Sequence, residues 1–131
     1  VRLKLPLPDR FVASGIDREI DNDRVGDTLT VAGFGLMREG DESSAGTLRQ
    51  AGVTVLPRYY PRYLRLGRSA GDLLICRGDS GGPVFDTDLR LVGVIYSKEL
   101  SDGRECGGVA QAVRLAPQSG WIDRVVARWG G

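Results

Sequence analysis

The chain has 131 residues, 41% of them hydrophobic and 27% charged, with a formal net charge of +1. That is enough for one domain with a real core, and the composition is that of an ordinary globular protein. A charge this near zero gives no electrostatic footprint for nucleic acid or a membrane surface, and no run of about 18 apolar residues is present to cross a bilayer as a helix.

The chain opens on VRLKLPLP, which alternates apolar and polar like a strand already under way, so Val1 is expected to be a cut end. Residues 9–27 are polar and acidic and read as a linker. Glycines, 19 in all, then punctuate short apolar runs. TLTVAGFG (28–35), TLRQAGVTVLP (47–57), DLLIC (72–76), PVFD (83–86), RLVGVIYS (90–97) and GVAQAVRL (108–115) are expected strands, several rich in Val, Ile and Thr. Short strands recurring between turn signals point to a sandwich or barrel. EGDESSAG (39–46) reads as an exposed loop, DTD (86–88) as a hairpin turn, and PRYYPRYLRLGRS (57–69) as a solvated surface loop. Pro117 suits a first helical turn. Trp121, Ile122, Val125, Val126 and Trp129 form the stripe of an amphipathic helix expected to pack on the barrel end.

The chemistry concentrates in GDSGGP, Gly78 to Pro83. A serine closely flanked by glycines suits a tight turn with bare backbone, where N–H groups can approach a developing oxyanion without obstruction. Gly78 and Ser80 are the expected donors. Asp79, between them, is expected to be a buried structural partner, since adjacent side chains rarely face each other. The chain has no histidine, so Ser80 lacks the usual base, and a serine hydroxyl alone is a weak nucleophile. Cys76 and Cys106 are too few for a zinc site without His. A bridge between them would imply an oxidising compartment, and two buried free thiols fit the spacing equally well.

In order along the chain, AGFG (32–35), CRGDSGGPV (76–84), LVGVIYS (91–97), CGGVAQAV (106–113) and GWIDRVV (120–126) resemble the C-terminal half of a trypsin-like (chymotrypsin-fold) serine protease. VRLKLPLP resembles the strand just past that family's catalytic aspartate. The resemblance implies an all-β fold: a Greek-key six-stranded β-barrel, the second of a double barrel, with a C-terminal α-helix. Residues 1–26 would be the end of an N-terminal-barrel strand and the inter-barrel linker, 27–116 the barrel, and 117–131 the helix. Ser80 would be the nucleophile, and Gly78 and Ser80 the oxyanion hole. Asp79 would pair with a new amino terminus after processing, and Cys76–Cys106 would be the bridge clamping the specificity pocket. Leu74, Ile75 and Gly108 would make that pocket apolar, and Tyr96, Ser97 and Lys98 would line the substrate groove. By direct counting Tyr96 and Lys98 fall where the family has Ser and Gly, whereas a one-residue bulge would put Ser97 at the Ser position. Without a bulge, Lys98 would crowd the substrate backbone or attract an acidic side chain. The expected partners are an N-terminal barrel supplying His and Asp and a polypeptide substrate, with no cofactor, metal, nucleic acid or membrane. The expected location is secreted or periplasmic. The competing expectation is a catalytically inactive relative acting as a binding module.

Overall fold

In the computed structural model, residues 3–19, 24–68, 75–99 and 103–130 are described. Six strands build the domain: β1 (Thr28–Gly33), β2 (Arg49–Leu56), β3 (Tyr63–Arg68), β4 (Pro83–Phe85), β5 (Leu91–Glu99) and β6 (Val109–Arg114). All pair antiparallel, in the order β1-β2-β3-β6-β5-β4, and β4 returns to β1 through Thr30↔Phe85 and Val31↔Val84 to close a barrel. Closure leaves no edge strand to template aggregation. Among the described residues one α-helix, α1 (Ser119–Arg128), follows a 3-10 turn at Ala116–Gln118.

Most strands follow a period of two, which sends alternate side chains to the barrel interior; β5 departs from it, with buried Val92 and Ile95 three residues apart. Leu29 and Val31 of β1, Val53 and Val55 of β2, Val84 of β4 and Val92 and Ile95 of β5 are buried in one cluster. Ala110 and Ala112 of β6 complete it, and these small residues let β6 approach Gly93 of β5. The hairpin turn at 86–88 forms as expected: Leu89 N donates to Asp86 O, and Asp86 N donates to Arg90 O.

Two expectations need correction. PRYYPRYLRLGRS is not simply a surface loop, because its second half is β3. Leu64 and Leu66 are 1% exposed, and Arg65 between them faces outward to Glu99. The two prolines and the clustered arginines suggested a loop, yet Tyr-Leu-Arg-Leu is itself an alternating strand pattern. Of the expected strand DLLIC, residues 72–74 lie outside the described residues; Cys76 forms a β-bridge with Cys106. The helix is covered less than expected: none of its residues is fully buried, Ile122 and Val125 of its stripe are half-buried, and Trp121 is 59% exposed. Its stripe is amphipathic as read, but periodicity specifies a face and not what covers it.

The polar linker is held to the barrel more tightly than its composition suggests. Ile16 makes a parallel bridge to Leu91, and Leu91 N donates to Gly15 O. Asp17, Arg24 and Asp86 are all buried; Arg24 Nη2 stands 3.0 Å from Asp17 Oδ2 and 3.5 Å from Asp86 Oδ2. Burial pushes the Asp86 carboxyl up, but the Arg90 and Asp88 amides and the Arg90 guanidinium outweigh it, holding Asp86 below the usual carboxylate range. Removing one member of such a buried set leaves an uncompensated charge, which is what makes the attachment specific.

Candidate active site

The nucleophile-like loop runs from the Cys76–Cys106 disulfide into β4. The bridge is formed, with Cα atoms 4.0 Å apart. It aligns two segments 30 residues apart in sequence, so that Arg77 N donates to Glu105 O and Gly107 N to Ile75 O. After Cys76 the chain turns sharply. Gly78 has φ +95°, a conformation L side chains rarely adopt, and a Cβ there would lie 3.0 Å from the Gly35 Cα. Gly82 N donates to Asp79 O and Gly81 N to Ile95 O, which pins the far side of the turn to β5.

Asp79 is 7% exposed and points inward, as expected for a structural partner. Its Oδ1 accepts from Gly35 N and its Oδ2 from Cys76 N, both at 2.8 Å. The two glycines of Gly33-Phe34-Gly35 make room for it, since a Cβ on Gly35 would stand 2.6 Å from Oδ1. No cation lies within ion-pair distance of this carboxylate among the described residues. Hydrogen bonds from backbone amides are therefore what offsets its burial.

With Asp79 turned in, Ser80 is left exposed. Neither its hydroxyl nor the amides of Gly78 and Ser80 make a hydrogen bond among the described residues. A free hydroxyl flanked by two free N–H groups can attack a carbonyl carbon while backbone donors receive the charge on its oxygen.

Ser80 sits between two clefts. The first, of about 390 Å³, runs from Ser80 along Tyr96, Ser97 and Lys98 and is closed by Arg77, Arg104 and Glu105. The second, of about 410 Å³, lies across the GDSGGP turn and carries Phe34, Leu48 and Pro83. The β5–β6 register skips from Ile95↔Ala112 to Ser97↔Gln111, so Tyr96 is the extra residue of a bulge. Bulged outward, Tyr96 stacks on Tyr63 with ring centroids 6.0 Å apart. Farther along β5, Glu99 accepts two bonds from Arg65, at 2.5 and 2.7 Å. These bonds, helped by Gln111, hold its carboxyl below the usual range.

The structure thus brings Gly78, Ser80, Tyr96, Ser97 and Lys98 together. Ile75 does not join them: it packs against the barrel core and lines a small interior cavity of about 20 Å³. Leu74 lies outside the described residues, and Gly108, with φ +75°, does not line either cleft. Sequence reasoning missed Arg77, Arg104 and Glu105 as lining residues. The available signal was their place beside Cys76 and Cys106, which any bridge must bring together.

A closed six-stranded antiparallel barrel followed by one C-terminal helix, with a serine presented on a glycine-rich turn next to a disulfide, is the architecture of a chymotrypsin-fold barrel. Residues 2–122 match the Trypsin family, and the chain belongs to it. Complement factor I of Rattus norvegicus is 33% identical over 116 residues, covering 78% of this chain and 18% of that protein. Among solved structures, a mutant of human heparin binding protein superposes with a TM-score of 0.77 at 25% identity, covering 94% of this chain and 53% of that one. Mouse neuropsin, a serine protease, superposes with a TM-score of 0.73 at 20% identity, covering 92% and 56%, and supports the fold alone. The chain therefore spans less than a fifth of that curated relative and just over half of these solved chains.

Proposed function

We propose that this chain is the nucleophile-bearing barrel of a serine endopeptidase. The observation that carries the reading is Ser80: its hydroxyl and the amides of Gly78 and Ser80 make no hydrogen bond among the described residues, beside two clefts, while Asp79 is turned into the barrel. Ser80 Oγ attacks the scissile carbonyl, and the Gly78 and Ser80 amides stabilise the oxyanion. The acyl-enzyme that forms on Ser80 as the amine leaves is then hydrolysed by water. The proton leaving Ser80 needs a base, and this chain has no histidine. The His and Asp come from an N-terminal barrel outside this chain, with residues 1–26 as the connection to it. Without them turnover falls by a factor on the order of 10⁶. Asp79, buried without a cation among the described residues, is suited to receive a processed amino terminus. The register shift at Tyr96 supports reading Ser97 as the counterpart of the family's groove serine. The disulfide fits a secreted or periplasmic protein.

A second reading, a binding module without chemistry, is favoured by the likeness at 25–26% identity to two mutants of human heparin binding protein. A fluorophosphonate probe on the full-length protein separates the two. A mass shift on the peptide containing Ser80 is expected for the peptidase, and an unmodified Ser80 supports the binding module.

A further inference from the structure

Among the described residues, the cleft beside Ser80 is lined by three cations, Arg77, Lys98 and Arg104, and one carboxylate, Glu105. These cations are not equivalent. Arg77 is already neutralised, with Nε 2.9 Å from Glu105 Oε1 and Nη2 against Glu42. Lys98 has no carboxylate partner among the described residues. Among the described residues its ammonium donates to the Arg104 carbonyl alone. An ammonium has three N–H donors, so two remain for a ligand. The bulge at Tyr96 and the Lys98↔Ala110 pairing hold this part of β5 in a fixed register on the cleft wall. Ile75, which would have made the lining apolar, faces the barrel core instead.

We propose that Lys98 is a specificity-determining residue, and that the cleft between Ser80 and Lys98 takes an acidic side chain of a polypeptide substrate. The proposal rests on the peptidase reading for the word substrate, but the recognition itself needs only the cleft. A Glu or Asp carboxylate entering there meets the unmatched ammonium and forms a charge-assisted hydrogen bond. The neutral amide of Gln or Asn meets the same donors without the charge. Loss of a bond to a charged group at a partly exposed site corresponds to about tenfold in affinity. The preference shrinks as salt screens the cleft.

The test uses the full-length protein carrying Ser80→Ala, so that peptide is bound and not turned over. Fluorescently labelled peptides in which a single Glu is walked along a Gln- and Ala-based sequence are titrated by anisotropy, each against its Gln counterpart. At one position Glu is expected to bind about tenfold tighter than Gln. Lys98→Gln abolishes the difference, Lys98→Glu inverts it toward a Lys peptide, and Lys98→Arg retains it. That last variant separates a charge effect from a disturbed loop at Arg104. Equal binding of Glu and Gln at every position overturns the proposal, as does a Glu preference that survives both Lys98→Gln and Lys98→Glu. Fluorophosphonate labelling of the protein with Ser80 intact reports on the peptidase reading separately. Labelling without Glu discrimination sinks the Lys98 proposal alone, and discrimination without labelling sinks the peptidase reading alone.

Discussion

Gly78→Ala tests the reasoning about the nucleophile turn most directly. Two effects follow from the structure. The first is local: φ is +95°, and an L side chain at positive φ costs roughly 1–2 kcal/mol. The second is specific to the site. The new Cβ would lie 3.0 Å from the Gly35 Cα, tighter than ordinary van der Waals contact. Gly35 has little room to yield, because its amide is bonded to Asp79 Oδ1 at 2.8 Å and Asp79 fills the space beside it. The Gly78 peptide must therefore turn, and its N–H no longer points where an oxyanion would form. Loss of one such donor costs about 10²–10³ in rate. Gly46→Ala is the control, since it has φ +90° but meets nothing within 4 Å and lies outside the turn. The assay is the rate of fluorophosphonate labelling of Ser80 in the full-length protein, followed by intact mass, with urea denaturation alongside. Both variants should lose roughly 1–2 kcal/mol from the φ change, and only Gly78→Ala should label about 100-fold more slowly. Wild-type labelling by Gly78→Ala, or an equal loss in Gly46→Ala, refutes the argument.

Replacing both Cys76 and Cys106 by Ser should destabilise the protein by about 3.6 kcal/mol, the entropy of closing a loop with a separation of 30, read as a lower urea midpoint. Leu64→Ala should cost about 2–5 kcal/mol, because the side chain is 1% exposed in the barrel core; a loss below 1 kcal/mol in the same titration would mean that β3 is not a core strand. Glu99→Gln breaks a bidentate pair whose side chains are 15% and 17% exposed, and should cost about 2 kcal/mol at neutral pH, between the values for surface and buried pairs. Because the folded carboxyl is held below its ordinary 4.5, the stabilisation is full above that pH and is lost as pH falls through the lower folded value. The gap between wild type and Glu99→Gln in a pH series of melts should therefore close only below pH 4.5, and a gap that closes at higher pH contradicts the assignment.

Much of the barrel was legible because a strand's period of two is local. Leu29 and Val31, Val53 and Val55, and Ala110 and Ala112 each announce an inward face within a few residues. β3 was missed because its alternation covers only Tyr63–Leu66, and the prolines and arginines before it outweighed that short signal. Residues 9–27 were read only as a polar linker because nothing near Asp17 or Arg24 in sequence reveals their buried partner Asp86, 62 residues from Arg24. The helix stripe was correct as a pattern, but only its Ile122 and Val125 are half-buried, since a face is encoded locally and its covering is not.

The same division runs through the site. The order of residues around GDSGGP was enough to expect the glycine-rich turn and its bare amides, because these depend on residue type and close spacing; spacing alone left the Cys76–Cys106 bridge open, and only the family resemblance implied it. The character of the cleft depended on contacts between distant segments. The disulfide carries Glu105 to Arg77, the bulge at Tyr96 sets the register that follows it, and the barrel core takes Ile75 away. Electrostatic fields and packing act through space, so only the closed barrel decides which charges meet and that Lys98 is left facing Ser80 without a counter-ion among the described residues.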